Sequence, residues 1–212
     1  MATEIKWYGH SCFRLRHKKG VVGTDPYHRE IGCSPPSFRA DIATVSHDHP
    51  HHNHVTALKG GAKVLSGPGE YEIAGIFIKG IAAGSRSKEA TAADRNTAYL
   101  FDFGDLTVCH LGNLNHVLDE GEVEDMEDID ILLIPVGGGA SLNAAKAAEV
   151  VSLLQPRMVI PMHYKVPEMD VALATVDGFL KEMGMAETVT LDTLSVERRD
   201  LPEQTRVVVL KC

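Results

Sequence analysis

Ser46-His47-Asp48-His49-Pro50-His51-His52-Asn53-His54 follows directly on the apolar run Asp41-Ile42-Ala43-Thr44-Val45. Five of the eight residues from His47 to His54 are histidine. Imidazole is the commonest protein ligand for zinc and related ions, and a strand that feeds a short irregular loop lets several side chains converge on one point. His47 and His49 lie two apart at a strand end, so in extended geometry they point to the same side. Pro50 then turns the chain, and His52 can point back toward a second position beside the first. The run lies well inside the chain and is not a tag. The competing reading is a polar surface loop that is merely rich in histidine.

A distant histidine, His163, stands at the end of another buried run, in Pro161-Met162-His163-Tyr164. Histidines at the ends of two separate strands are what a metal site at a sheet edge requires. Around them the pattern reads as short strands first, at Ile5 to Tyr8, Cys12 to His17, Val21 to Thr24 and Ile42 to Val45, with one or two helical turns at Val55 to Lys59. Further strands follow at Lys63 to Ser66, Tyr71 to Ala74, Ile76 to Ile81, Thr97 to Phe103 and Leu106 to His110, the last two joined as a hairpin at Gly104-Asp105. Strands then alternate with helices. Ile129 to Val136 and Met158 to Met162 read as buried strands, Leu142 to Leu154 and Val171 to Met183 as helices, and Val189 to Val196 and Arg206 to Leu210 as closing strands. This order predicts an α/β protein with sheets covered by helices on their outer faces.

With 212 residues, 44% of them hydrophobic, the chain can bury a full core and reads as one domain over residues 1–212. Cys12, Cys33, Cys109 and Cys212 form no C-x-x-C pair, which argues against a disulfide framework and a thiolate zinc site. The net charge of -8 has a local origin, because the stretch from Asp119 to Asp130 holds eight carboxylates and no Lys or Arg. Such a block reads as the solvated face and first turn of a helix. No basic stripe with interleaved aromatics suggests nucleic acid, and no apolar run approaches the length of a membrane span. The amino terminus lacks the layout of a signal peptide, so a cytoplasmic location is expected. No motif specifies an oligomeric state.

Six stretches in order resemble the metallo-β-lactamase fold superfamily, within it the branch of small bacterial metal-dependent hydrolases related to the ascorbate-phosphate lactonases. They are Trp7-Tyr8-Gly9-His10-Ser11-Cys12-Phe13, Thr24-Asp25-Pro26-Tyr27, Ser46 to Asn53, His110-Leu111-Gly112-Asn113, Ile134-Pro135-Val136-Gly137-Gly138 and Pro161-Met162-His163-Tyr164. The resemblance implies a four-layer αββα sandwich with up to two divalent transition-metal ions in a cleft at the sheet edges. It also implies a small-molecule substrate with an ester, lactone or phosphoester bond. His47 and His49 match the first ion's histidine pair, His52 and His163 match ligands of the second, and Asn113 stands at the bridging position.

Three family ligands are replaced. His51 occupies the motif's aspartate, Asn113 the bridging aspartate, and the middle-strand histidine has no counterpart, the nearest stretch being Ala82-Ala83-Gly84-Ser85-Arg86. Two dications about 3.5 to 4 Å apart need negative charge between them, so losing both carboxylates points toward a single ion. Nitrogen-rich surroundings favour zinc, nickel or copper over manganese or magnesium, so zinc is the leading expectation, with nickel or manganese behind it. His51 is a candidate catalytic group. Asp25 is a candidate for orienting a ligand imidazole, or a cap on the turn before Pro26. His10 is expected near the cleft in a substrate-facing or supporting role, and His110 beside it, whereas His54 and His116 read as solvated. Gly137 to Gly139 reads as an anion cradle or as a tight turn, and Glu70 or Tyr71 as pocket lining. The two functions that follow are a metal-dependent hydrolase and a catalytically weak metal- or ligand-binding protein on the same fold.

Overall fold

The two continuous apolar runs fix the centre of the architecture. Ile131–Pro135 (β10) and Met158–Met162 (β11) pair in parallel and are buried at every residue, as parallel strands covered on both faces are. The computed structural model describes residues 1–84, 95–126, 128–185 and 188–212. The strands preceding β10 are Thr3–Trp7 (β1), Phe13–His17 (β2), Gly20–Thr24 (β3), Ile42–Val45 (β4), Lys63–Ser66 (β5), Gly69–Ile73 (β6), Ile76–Ala82 (β7), Thr97–Asp102 (β8) and Thr107–His110 (β9). Those following β11 are Val189–Leu191 (β12), Leu194–Val196 (β13) and Arg206–Leu210 (β14).

They form two sheets. One has six strands in the order β13-β1-β2-β3-β4-β5, the other eight in the order β12-β14-β11-β10-β9-β8-β7-β6. β3, β4 and β5 run parallel to one another, as do β9, β10, β11 and β14. Ile5, Trp7, Phe13, Leu15 and Val22 of the first sheet share one buried cluster with Ile78, Tyr99, Phe101, Leu133 and Ile160 of the second. The core therefore lies between the sheets. Because successive strand residues face opposite ways, Ile42 joins that core while Ala43 joins a second cluster with Cys12, Tyr27, Ile31, Phe38 and Leu58.

The outer layers differ. The second sheet is covered by helices Ala144–Leu154 (α2), which buries Ala147, Val150 and Val151, and Asp177–Glu182 (α3), which buries Phe179. Asn143 caps α2, its side chain accepting the Lys146 N–H, and Gln155 ends the helix in the left-handed region. The first sheet is covered instead by the loops after β3 and β4, with single 3-10 turns at Arg29–Ile31 and Val55–Ala57 respectively. The acidic block forms Glu120–Asp125 (α1), opened by a reciprocal capping box between Asp119 and Glu122.

Two elements depart from the sequence reading. Val189 to Val196 is two strands, with β12 beside β14 in one sheet and β13 beside β1 in the other, so the chain crosses between sheets at Asp192-Thr193. Period alone cannot distinguish a strand that stays in its sheet from one that changes sheet. Only Asp177–Glu182 of the expected helix from Val171 is helical. The residues before it are recruited elsewhere, since the Ala174 N–H donates to Gly137 O and the Lys165 N–H to Ala174 O.

At the edge where β4 and β5 end, Tyr99 of β8 joins the sheets. Its buried hydroxyl lies 3.2 Å from both Val45 O and Leu65 O and accepts the Gly67 N–H at 3.0 Å. Tyr99→Phe leaves these groups without a partner and is expected to lower unfolding free energy by about 1–3 kcal/mol. Urea denaturation checks this; an unchanged midpoint would show that the hydroxyl carries no inter-sheet tie.

Candidate metal centre

The carboxyl ends of β3, β4, β9 and β11 lie at one edge of the sandwich, and the histidines of the sequence motifs project from the loops there. β3 delivers Asp25, which has no exposure to water. Its Oδ1 accepts the Ser46 N–H at 2.8 Å, and its Oδ2 takes both the Ser46 hydroxyl and His52 Nδ1, the latter at 2.8 Å. Bonding His52 through Nδ1 leaves Nε2 as that ring's free nitrogen. His47 is oriented in the same way by Arg95 O, 3.0 Å from its Nδ1. His163 Nδ1 lies 3.2 Å from Ser141 Oγ, which donates to Gly138 O; the serine therefore accepts from the imidazole, and Nε2 is again free.

His10 arrives from the turn after β1. Its carbonyl accepts the Trp7 indole N–H at 3.0 Å and the His163 N–H at 2.9 Å, binding the first and the last of the site's histidines together. Its ring lies 4.1 Å from the His163 ring, 5.0 Å from His52 and 5.6 Å from His51, centre to centre. Neither ring nitrogen of this buried residue has a hydrogen-bond partner. One ligand atom each from His10, His52 and His163 lie within 4.8 Å of one another.

These residues line a cavity of about 230 Å³ together with His47, His49, His51, Asn113, Gly139, Ala140, Val171, Ala172 and Leu173. The last three belong to the segment that sequence reading assigns to a helix; in the fold it closes over the site. Asn113 Oδ1 is buried without a partner, while the Asn113 N–H is held by Asn96 Oδ1 at 2.8 Å. Asn96 itself is anchored by Leu111 O at 2.9 Å. His51 is half-buried, and His49 is exposed at the mouth with its Nδ1 3.3 Å from the His51 N–H. A second cleft, of about 690 Å³, adjoins the first at His47 and is lined by Ser66, Gly67, Pro68, Ala82, Arg95 and Thr97 among others.

Several expected candidates lie elsewhere. His110 is fully buried with Nε2 2.8 Å from Ser11 O and Nδ1 accepting the Gly112 N–H, so neither nitrogen is free for an ion. His116 is not solvated but bonded to the Glu122 carboxylate at 3.0 Å, and His54 is half-buried with its ring edge-on to His28. The glycine run is a tight turn rather than an anion cradle. Gly137 and Gly138 spend their N–H groups on His163 O and Leu142 O, and a Cβ at Gly137 would stand 2.3 Å from His163 O. Gly67 and Pro68, not Glu70 or Tyr71, line the larger cleft. Of the stretch nearest the missing middle-strand histidine, Ser85 and Arg86 lie outside the described residues. Ser46, Ser141, Asn96 and the Arg95 carbonyl were not singled out by sequence, because single hydroxyls, amides and carbonyls carry no spacing signal.

Burial sets the protonation of the cluster. It holds the imidazoles of His10 and His52 well below their ordinary range, with neighbouring histidines adding to the effect, and lowers His163 from 6.5 to about 4. Burial pushes the Asp25 carboxyl up, against the opposing pull of His110 and the Ser46 hydrogen bonds.

The donor set fits a transition-metal ion: buried neutral imidazoles with oriented free nitrogens, beside an unpartnered amide oxygen. The fold and these strand-end histidines define the class, and the chain belongs to the beta-lactamase superfamily, whose domain profile matches residues 4–163. A Thermotoga maritima protein of the metallo-beta-lactamase superfamily superposes with a TM-score of 0.81 at 34% identity, covering 98% of each chain. A UPF0173 metal-dependent hydrolase of Nanoarchaeum equitans is 30% identical over 189 residues, 76% of this chain and 83% of its own length. One from Thermoplasma acidophilum is 28% identical over 189 residues, again 76% and 83%.

Without metal, the buried neutral histidines make stability fall with pH. The unfolded chain takes up a proton near 6.5 that folded His163 refuses until about 4, so unfolding is favoured progressively as pH drops through that window. His10 and His52 act in the same direction. His163 alone accounts for roughly 2 kcal/mol by pH 5. Urea midpoints measured with chelator at pH 7 and pH 5 should fall accordingly; a midpoint that holds or rises would contradict neutral burial.

Proposed function

We propose that residues 1–212 form one metallo-β-lactamase-like unit acting as a metal-dependent hydrolase on a small molecule with an ester, lactone or phosphoester bond. The observation that carries this is the set of oriented imidazoles around one cavity: His47, His52 and His163 each have Nδ1 engaged, by Arg95 O, Asp25 and Ser141. Names borne by relatives support it. The Nanoarchaeum and Thermoplasma proteins are named metal-dependent hydrolases, and the Thermotoga one is described as a candidate Zn-dependent hydrolase.

His47, His49, His52, His163 and Asn113 are the residues that would hold one or two divalent ions, zinc foremost. Such an ion supplies Lewis acidity, acidifying water and polarising the bond to be broken. Asp25 acts on the reaction through His52, fixing its tautomer and ring plane. His51, half-buried at the mouth, is the candidate group for moving a proton to or from substrate. A cavity of about 230 Å³ suits a reacting group rather than a whole metabolite, and the 690 Å³ cleft that shares His47 suits the remainder. Arg95 on that cleft offers a cation to an anionic substituent.

One observation favours the alternative, a binding protein of little catalytic power. No carboxylate lines the cavity among the described residues, so the negative charge and general base of a carboxylate are missing there.

Protein purified without added metal is expected to carry close to one transition-metal ion per chain. Chelation should abolish turnover of model lactones and phosphodiesters, zinc should restore it, and His52→Ala should remove both metal and activity. Elemental analysis with the same assays decides. Protein that stays empty after exposure to zinc, nickel and manganese would sink the hydrolase reading, and metal-loaded protein inert on every such substrate would favour the alternative.

A further inference from the structure

We infer that His10 is itself a metal ligand, completing with His52 and His163 a deep three-imidazole site within the cavity that His47 and His49 also line. The inference rests on the metal-dependent reading above, and departs from the ligand set implied by the family pattern, in which His10 has no such place.

Four features of the fold carry it. His10 is 2% exposed, yet both ring nitrogens lack partners. Buried polar groups are nearly always hydrogen-bonded, and leaving one unsatisfied costs about 1–3 kcal/mol. Its backbone is left-handed, with φ of 51°, a conformation uncommon outside glycine. The turn is nevertheless enforced, by the Trp7 indole N–H and the His163 N–H on the His10 carbonyl. The same backbone hydrogen bond that fixes His10 thus fixes the strand end bearing His163.

The second feature is distance. Three atoms no more than 4.8 Å apart lie within about 2.8 Å of a common point, against the roughly 2.0–2.1 Å of a zinc–imidazole bond. Side-chain shifts below 1 Å, in rings that adjoin a cavity, would close the difference. Third, the two partners are already oriented, with the Nδ1 atoms of His52 and His163 occupied by Asp25 and Ser141. Last, one member of the motif's conventional pair is less well placed for a buried ion: His49 is exposed, and its Nδ1 accepts from the His51 N–H.

The chemistry of the ion follows. Imidazole nitrogens, with Asn113 Oδ1 an unpartnered oxygen in the cavity lining, favour zinc, nickel or cobalt over manganese and magnesium, which prefer carboxylate oxygen. A three-imidazole site in a cavity of this kind needs no carboxylate bridge, which accounts for a chain that has His51 and Asn113 where its fold relatives' pattern has aspartates. A single ion brings half the charge of two and needs less neutralisation, and repulsion between two ions does not arise.

The test is metal affinity, read apart from turnover. Metal-free wild type, His10→Asn, His49→Asn and His52→Asn are titrated with zinc and with cobalt against a chromophoric chelator, with circular dichroism to show that each is folded. Asparagine tolerates the left-handed backbone, so His10→Asn keeps the turn. His10→Asn and His52→Asn are expected to weaken binding on the order of 100-fold or more, and His49→Asn only a few-fold. In cobalt-loaded His10→Cys, a thiolate-to-cobalt charge-transfer band absent from wild type should appear, a signature that only a ligand at position 10 gives. Wild-type affinity in His10→Asn, or no such band in folded His10→Cys that still binds cobalt, would overturn the inference while leaving the hydrolase reading in place. Loss of binding in His49→Asn equal to that in His10→Asn would also overturn it. A wild type that takes up neither metal would sink both.

Discussion

Asp25 is the one side chain on which the rest of the site depends. A carboxylate removed from water is tolerable only where hydrogen bonds replace its hydration. Here three donors do so: the Ser46 N–H, the Ser46 hydroxyl and His52 Nδ1. The first two tie the end of β3 to the end of β4 beyond their last ladder pair, and so set where the histidine run leaves the sheet. The third chooses which nitrogen of His52 faces the cavity. One buried group therefore links strand register to ligand chemistry, and neither can shift without leaving an uncompensated charge behind.

Backbone conformation repeats the theme. Among the described residues, the non-glycine positions with positive φ are His10, Asp25, Ala74, Asp128, Gln155 and His163, and three of these belong to the site. Each such residue costs of order 1–3 kcal/mol and persists only where its surroundings over-determine it. The surroundings are visible. Trp7 and His163 grip His10, Thr44 O receives the Asp25 N–H, and Gly137 leaves room for the His163 carbonyl that a Cβ would strike. Strain concentrated at strand ends turns three side chains inward that an extended chain would have pointed elsewhere.

Much of this was legible in the sequence, and the remainder failed for identifiable reasons. The histidine run and the buried strands at Ile131–Pro135 and Met158–Met162 follow from local pattern, because burial on both faces and clustered imidazoles leave marks within a few residues, whereas the αββα class rests on the resemblance of six ordered motifs. The partners that orient the rings do not. Ser141 lies 22 residues from His163, and Arg95 48 residues from His47, and each contributes a single atom. His10 was expected near the cleft, but its two unpartnered nitrogens are a property of packing. The segment from Val171 reads as helix because its apolar spacing is helical; tertiary hydrogen bonds from Lys165 and Ala174 override that preference and draw it over the cavity.

The site's parts come from widely separated places: the turn after β1, the ends of β3 and β4, the loop after β9 and the end of β11. The contacts that close it, His10 O to the His163 N–H and Ser11 O to His110 across 99 residues, span much of the chain. Long-range pairings of this kind form late and slowly, since loop closure precedes the contacts that reward it. Only the assembled sandwich brings His10, His52 and His163 together, whereas the histidine run is contiguous in the unfolded chain as well. An ion held there would act as a latch: to the extent that it binds the folded cluster more tightly than the unfolded run, it would deepen the native state and make the protein's persistence depend on the metal supply around it.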